Sequence, residues 1–161
     1  MAIQSGDPIP NATFTVMAPD GPQLRTTDQI FKGHKVVLFG VAGAFTPVCD
    51  KHHLPGFLDN FDQFKAQGVD EVAVTGVNDV FVMHAWAKSA GAEGKITFLA
   101  DGNGDFARAL GLSLDLTARG LGIRSQRYTM IVDNGMVRKL NVEASPGKVE
   151  ASSAETLLTQ L

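Results

Sequence analysis

One stretch of the sequence determines the central part of the fold: Lys35-Val36-Val37-Leu38-Phe39-Gly40-Val41-Ala42-Gly43-Ala44-Phe45-Thr46-Pro47-Val48-Cys49. Its first half is a continuous apolar run, which is typical of a buried strand. A short turn containing glycine follows, and Thr46 with Pro47 then has the arrangement of a helix start. The stretch therefore predicts a strand, a tight turn and a helix that carries Cys49 in its first turn.

The sequence on both sides adds further strands and helices. Apolar runs predict strands over residues 12–16, 35–41, 71–77, 96–100, 127–132 and 136–142. Helical spacing predicts helices over residues 46–68, 79–90, 105–110 and 154–161, with a kink at Pro55. Asn134-Gly135 between the last two strands predicts a β-hairpin.

From Lys35 onwards the predicted order is β-α-β-α-β-α-β-β-α. This order predicts an α/β protein with a thioredoxin-like fold, in which a mixed central sheet is flanked by helices on both faces. The length of 161 residues suits one domain with a sizeable core, so we expect residues 1–161 to form a single domain.

Composition excludes several classes of protein. The net charge of −3 gives no basic surface, so we expect no nucleic-acid partner. No apolar run approaches the ~20 residues that span a bilayer, and we expect no membrane partner. The N-terminal residues lack the pattern of a signal peptide, and a single cysteine fits a reducing compartment. The sequence therefore predicts a cytoplasmic protein.

Cys49 is the only cysteine, and its predicted position favours a nucleophile over an inert buried thiol. Unpaired backbone N–H groups and the helix dipole stabilise a thiolate at a helix start. Thr46 can reach the sulfur or a substrate oxygen, although a plain helix cap explains this residue equally well. The turn at Gly43, Phe45 and Val48 can cradle a polar substrate.

Two further features near Cys49 have more than one interpretation. Cys49, His52 and His53 share a helical face and could hold a metal, but no fourth ligand is evident, so we expect neither a metal nor another cofactor. Arg124 and Arg127 flank a strand start. A guanidinium beside the sulfur would favour the thiolate and could bind a peroxide oxygen, whereas a solvated surface arginine would do neither.

Several motifs taken together resemble the type II atypical peroxiredoxins, the peroxiredoxin-five subfamily of thioredoxin-fold thiol peroxidases. The matching segments are Gly43-Ala44-Phe45-Thr46-Pro47-x-Cys49, Lys51-x-His53-Leu54-Pro55-Gly56-Phe57, Val77-Asn78-Asp79-x-Phe81-Val82-Met83-x-Ala85-Trp86, Phe98-Leu99-Ala100-Asp101 and Arg127-Tyr128. The resemblance implies that Cys49 is the peroxidatic cysteine, Thr46 the motif threonine and Arg127 the arginine that holds thiolate and peroxide. It also implies a supporting role for His53, and a homodimer.

The chain departs from the peroxiredoxin pattern in two respects that bear on function. Ala42 stands where the motif Pro-x-x-x-Thr/Ser-x-x-Cys has the proline that stiffens the loop. No second cysteine in this chain can resolve an oxidised Cys49, so an external thiol must do so: glutathione with glutaredoxin, thioredoxin, or Cys49 of a second subunit.

We therefore predict an antioxidant one-cysteine peroxidase that reduces hydrogen peroxide and alkyl hydroperoxides through a Cys49 sulfenic acid. The alternative is a peroxide-sensing redox regulator that uses the same cysteine.

Overall fold

The computed structural model describes residues 2–145 and 147–161, so Met1 of the predicted domain and Pro146 lie outside the described residues. The described strands are β1 (Thr13–Ala18), β2 (Gly21–Thr26), β3 (Lys35–Gly40), β4 (Glu71–Gly76), β5 (Thr97–Ala100), β6 (Ser113–Leu116), β7 (Gly122–Ser125), β8 (Tyr128–Asp133) and β9 (Met136–Val142). The described α-helices are α1 (Thr27–Phe31), α2 (Leu54–Asp59), α3 (Phe61–Ala66), α4 (Val80–Ser89), α5 (Asp105–Leu110) and α6 (Ala154–Leu158).

Seven strands form one mixed sheet in the order β2-β1-β5-β4-β3-β8-β9. β3, β4 and β5 are parallel neighbours, whereas β8 pairs antiparallel with β3 and β9 pairs antiparallel with β8. β6 and β7 form a separate antiparallel pair. The main sheet has the predicted thioredoxin-like architecture.

β3 lies between β4 and β8 and contributes to the core on both faces of the sheet. Val37 and Phe39 pack into one apolar cluster with Cys49, while Val36 and Leu38 pack into the other. This division follows from the two-residue period of a strand. Helices cover both faces, because α2, α3, α4 and α6 pack on the side of Cys49 and α1 and α5 pack on the other side.

The helix predicted over residues 46–68 is broken into shorter pieces, so the prediction of one continuous helix was wrong. Pro47 and Val48 are helical, and a π-helical turn follows over Cys49–His53. The N–H of Leu54 donates to the carbonyl of Cys49, which gives a wider turn than an α-helix immediately before Pro55. Pro55 lacks an N–H and crowds the preceding turn, and widening relieves this conflict. A second break, at Asn60, separates α2 from α3.

The remaining predicted elements lie close to their expected positions, and the differences are local. The chain between β8 and β9 turns at Asn134 and Gly135, where φ is 50° and 78° as a tight hairpin requires. The sequence did not predict β2, α1, β6 or β7. These segments are short, and none has the sustained apolar pattern that distinguishes a strand or helix.

Candidate active site

The end of β3 fixes where the turn towards Cys49 begins. Gly40 faces the ring of Tyr128, and a Cβ atom at position 40 would lie 2.2 Å from Tyr128 Cε1. Only glycine leaves room for the Tyr128 ring to lie against the backbone at this position. Val41 continues the pairing, since its N–H donates to the Thr75 carbonyl at 3.0 Å. The chain then leaves the sheet and enters the turn.

The turn between β3 and Cys49 is held by hydrogen bonds from within and from a neighbouring loop. The Ala44 N–H donates to Asn78 Oδ1 at 2.8 Å, and the Thr46 hydroxyl donates to the Gly43 carbonyl at 2.6 Å. Phe45 has a φ of 62°, which is uncommon for a bulky residue, and 46% of it is exposed. The hydrogen bonds of Ala44 and Thr46, on either side of Phe45, hold the backbone in this unfavourable conformation.

Thr46 occupies the predicted helix-cap position but uses its side chain differently. Its carbonyl accepts from the Asp50 N–H at 2.9 Å, as the first bond of the helix. Its hydroxyl hydrogen is directed at the Gly43 carbonyl, whereas a capping hydroxyl would accept from a helix N–H. The hydroxyl lone pairs are therefore available to accept a hydrogen bond.

Arg127 contacts Cys49, although the two residues are 78 positions apart in the chain. Arg127 Nη2 donates to Cys49 Sγ at 2.9 Å. Cys49 is fully buried and Arg127 is 1% exposed. The guanidinium therefore places a permanent positive charge within hydrogen-bond distance of the sulfur, in a part of the site from which water is excluded.

His53 holds the same guanidinium from a second side. Arg127 Nη1 donates to His53 Nδ1 at 2.8 Å, and His53 Nε2 donates to the Ser152 carbonyl at 2.9 Å. A carbonyl and a guanidinium fix these roles, because the carbonyl only accepts and the guanidinium only donates. Burial, together with the charge of Arg127, lowers the pKa of His53 to about 3, so the imidazole is neutral.

The Ser152 carbonyl is placed by a buried carboxylate. Glu143 Oε2 accepts from the Ser152 hydroxyl at 2.5 Å, from the Ser152 N–H at 2.7 Å and from the Glu150 N–H at 2.8 Å. Burial opposes ionisation of Glu143, but the hydrogen bonds from Ser152 and its neighbours outweigh it and hold the pKa of this carboxyl below its usual range. The segment before α6 is therefore fixed against the site.

The structure brings together three of the predicted site residues, Cys49, His53 and Arg127. Gly43 and Thr46 lie in the turn beside them, Val48 is half-buried, and Phe45 is largely at the surface. Arg124, the other arginine considered, donates to the carbonyls of Leu121 and Val77.

The metal interpretation does not fit the observed contacts. Both ring nitrogens of His53 are hydrogen-bonded, and His52 is exposed. Within residues 2–145 and 147–161, no group of three or more His, Cys, Asp or Glu side chains is arranged to hold a metal ion.

Sequence reasoning missed Asn78, Glu143 and Ser152. Asn78 lies within the motif that begins at Val77, so the resemblance to the family could have indicated a role for it at the site. Ser152 contacts His53 across 99 residues, and no local pattern marks such a contact. Asp50, next to Cys49, accepts from Trp86 Nε1 at 2.8 Å and ties the helix start to α4.

A thioredoxin-like sheet that holds one buried cysteine against an arginine defines a class of protein, the thiol-dependent oxidoreductases. The single cysteine removes the dithiol chemistry of a C-x-x-C pair and leaves reactions that one sulfur can begin.

Comparison with known proteins narrows this class. The Redoxin family matches residues 4–158. Peroxiredoxin-2C of Arabidopsis thaliana is 44% identical over 161 residues, which is 99% of this chain and 98% of that protein. Reduced Prx3 in complex with H₂O₂ from Vibrio vulnificus is 49% identical, with a TM-score of 0.93 over 98% of each chain. Peroxiredoxin 5 from Alvinella pompejana is 36% identical, with a TM-score of 0.85 over 98% of this chain and 96% of that one. The chain belongs to the peroxiredoxins, within their type II group, and is a thiol peroxidase with a single cysteine.

The described helices also bear on the expectation of no membrane partner. None of the helices in residues 2–145 and 147–161 is long and apolar enough to cross a bilayer.

Proposed function

We propose that this protein reduces hydrogen peroxide and alkyl hydroperoxides through a sulfenic acid at Cys49. One observation carries the proposal: Arg127 Nη2 lies 2.9 Å from Cys49 Sγ, and both residues are buried. A buried guanidinium favours the thiolate before the reaction. It also stabilises the negative charge that spreads over the two oxygens as their bond breaks.

The chemical step is a displacement on oxygen. The Cys49 thiolate attacks the terminal oxygen of the hydroperoxide, a sulfur–oxygen bond forms, and the oxygen–oxygen bond breaks. The leaving oxygen takes a proton and departs as water or an alcohol. Sulfur gives up two electrons, the peroxide accepts them, and Cys49 becomes a sulfenic acid.

The roles of the surrounding turn follow from its hydrogen bonding. Because the Thr46 hydroxyl hydrogen is directed at Gly43, its lone pairs can accept the O–H of a bound hydroperoxide. Arg127 then orients the second peroxide oxygen. Gly43, Phe45 and Val48 border the approach to the sulfur. His53 acts through Arg127 and does not touch the peroxide.

Recycling must come from outside the chain, because Cys49 has no partner cysteine. An external thiol condenses with the sulfenic acid to give a mixed disulfide and water. A second thiol then displaces Cys49 and restores it. Glutathione with glutaredoxin, or thioredoxin, would supply these thiols.

A peroxide-sensing regulator is the competing proposal, and Ala42 supports it. Without the motif proline the loop before Cys49 has more backbone freedom, which a sensor tolerates better than a fast peroxidase. The two differ in turnover, since a sensor is oxidised once and has no efficient reductant.

The decisive experiment measures peroxide consumption with glutathione and glutaredoxin, and separately with thioredoxin. Cys49→Ser is the blank, and Cys49 is trapped as a sulfenic acid adduct for mass spectrometry. We expect sustained turnover with one of the two systems and a trapped adduct. One equivalent of oxidation without turnover would favour the sensor, whereas Cys49 left unoxidised by stoichiometric peroxide would contradict both.

The homodimer and the cytoplasmic location remain proposals. The exposed apolar side chains Phe45, Phe81 and Ile123 support a self-association surface around the active-site turn. Hydrogen bonds link their neighbours, since the Ala44 N–H donates to Asn78 and Arg124 donates to the Val77 carbonyl. Residues 1–161 would act as one domain in each subunit.

A further inference from the structure

We propose that Glu143, which has no contact with the reacting sulfur, is a positioning residue for the chemistry of Cys49. It fixes the Ser152 carbonyl, which fixes the tautomer and orientation of His53, and His53 in turn orients the guanidinium of Arg127. The inference rests on the proposed function only for its consequence in peroxide reduction. The effect on the reactivity of Cys49 stands on the geometry alone.

The first link runs from Glu143 to Ser152. Three donors converge on one carboxylate oxygen, at 2.5 to 2.8 Å, and two of them belong to Ser152. The Glu143 N–H also donates to the Arg127 carbonyl at 2.9 Å. Glu143 therefore ties the segment before α6 to the strand that begins beside Arg127.

The second link runs from Ser152 to His53. A neutral imidazole has one donor and one acceptor, and either nitrogen can carry the hydrogen. The Ser152 carbonyl at 2.9 Å requires the hydrogen on Nε2, which leaves Nδ1 as the acceptor. The Arg127 guanidinium, which only donates, requires the same tautomer, so the carbonyl and the guanidinium together hold the imidazole ring in one orientation.

The third link runs from His53 to Arg127. Nδ1 accepts from Nη1 at 2.8 Å, while Nη2 of the same planar group donates to Cys49 at 2.9 Å. Because the guanidinium is rigid, a rotation that loses the bond at Nη1 also moves Nη2 away from the sulfur. Partners behind a charged group commonly determine its orientation in this way.

The test compares Glu143→Ala, Glu143→Gln, His53→Ala and the double variant Glu143→Ala with His53→Ala. Glu71→Ala is the matched control, because Glu71 is a half-buried carboxylate that, like Glu143, accepts from several donors, here on Arg25 and Thr97 at the far end of β4. The first readout is the rate at which iodoacetamide alkylates Cys49 at about pH 6. The thiolate is the form that reacts, and an ordinary thiol is almost wholly protonated at this pH, so the rate reports the reactivity that the site confers. The second is the single-turnover rate with hydrogen peroxide, followed by the fluorescence of Trp86, the only tryptophan.

We expect Glu143→Ala to slow both reactions roughly tenfold, which corresponds to the loss of one well-placed hydrogen bond to a charged group. Glu143→Gln retains an acceptor oxygen and should restore most of the rate. The double variant should be no slower than His53→Ala alone, because both residues act through the same contact. Glu71→Ala should leave both rates unchanged, whatever its effect on stability.

Two results would overturn the inference. One is a Glu143→Ala protein that is less stable but reacts at the rates of Glu71→Ala, and the other is a double variant whose effects add. The proposed function fails separately, if wild-type protein consumes no peroxide. The alkylation rates would then still decide whether Glu143 positions Arg127.

Discussion

Arg127 differs from a surface arginine because it is buried and its guanidinium has two fixed hydrogen-bond acceptors. Its two terminal nitrogens donate to His53 and Cys49, while its side chain is almost fully buried. Two acceptors in fixed directions suit a planar guanidinium and do not suit the compact ammonium of lysine. Replacing Arg127 by lysine therefore separates the effect of the positive charge from the effect of the hydrogen-bond geometry.

The first prediction concerns that separation. Arg127→Lys keeps the charge but cannot serve Cys49 and His53 together, so we expect the second-order rate of Cys49 oxidation by peroxide to fall about a hundredfold. Stopped-flow fluorescence measures this rate, with circular dichroism to confirm folding. Arg138→Lys, on the exposed face of β9, should react like wild type. An unchanged rate in Arg127→Lys would show that charge alone suffices.

His53 predicts a pH dependence of stability. Its pKa is about 3 in the folded protein and 6.5 for the ordinary side chain. Between these values the unfolded chain binds the proton more readily, so this residue's contribution to stability is lost as pH falls. We expect the free energy of unfolding to decrease by up to about 1.4 kcal/mol per pH unit below about pH 6.5.

Urea unfolding between about pH 7 and pH 5 tests this, above the range in which most carboxyl groups titrate. His53→Asn should have a flatter profile than wild type. His34→Asn, at a position where the histidine side chain is 52% exposed, is the matched control. Equal slopes in all three proteins would contradict the depressed pKa of His53.

At the scale of secondary structure, the site depends on one strand end, one turn and one widened helical turn. The turn is held by the bond from Ala44 to Asn78 and the bond from Thr46 to Gly43. The π-helical turn then places Cys49 and His53 together on the buried side. π-helical turns often mark functional positions, and here the turn accommodates Pro55 within the helical segment.

The missing motif proline gives a prediction for the turn. Ala42→Pro should raise the free energy of unfolding by about 0.5–1 kcal/mol, because it restricts the unfolded chain, and should quicken peroxide reduction by stiffening the turn. Ala44→Pro is the matched control, since it removes the N–H that donates to Asn78 and should destabilise. Urea unfolding and stopped-flow rates measure both effects. An Ala42→Pro protein that loses stability would show that position 42 needs its own backbone geometry.

The contact between β3 and β8 gives a second prediction at this scale. Gly40→Ala places a methyl group within 2.2 Å of the buried Tyr128 ring, so the strands or the ring must shift. We expect a loss of about 3 kcal/mol in the free energy of unfolding. At Gly102 the nearest atom to an added Cβ is 3.7 Å away, so Gly102→Ala should cost far less. Equal losses in urea unfolding would contradict the packing argument.

At the scale of the whole molecule, the two faces of the sheet have different roles. One face packs α1 and α5 and contributes stability, while the other packs the helices that surround Cys49. The proposed self-association surface contains Phe45, which lies in the active-site turn, and Phe81, which is 65% exposed.

Self-association through this surface predicts that Phe81→Asp weakens the dimer. A charge in an apolar interface must be desolvated, so sedimentation velocity over a range of concentrations should show a shift towards monomer. Leu24→Asp, an exposed apolar site on edge strand β2, should keep the wild-type distribution. A wild-type protein that is monomeric at every concentration would contradict the proposed homodimer.

The order and type of the main elements could be predicted from the sequence, because each depends on local periodicity. The run Lys35–Gly40, the hairpin at Asn134-Gly135 and the helix at Asp105–Leu110 all carry strong local patterns. Short elements such as β6 and β7 could not be predicted in the same way. Their pairing is decided by neighbours distant in the chain, which have no local pattern.

By itself the sequence determined the fold class and made Cys49 the candidate reactive residue, because a lone cysteine at a helix start is a local feature. Only the tertiary structure decided which arginine reaches the sulfur, and that Glu143 and Ser152 stand behind His53. The contacts of Arg127 with Cys49 and His53, and the contact of His53 with Ser152, join residues 74 to 99 positions apart. Residues so far apart in the chain meet only when the sheet and helices pack together, and the energy of that packing depends on the whole chain and cannot be derived from any short stretch of sequence.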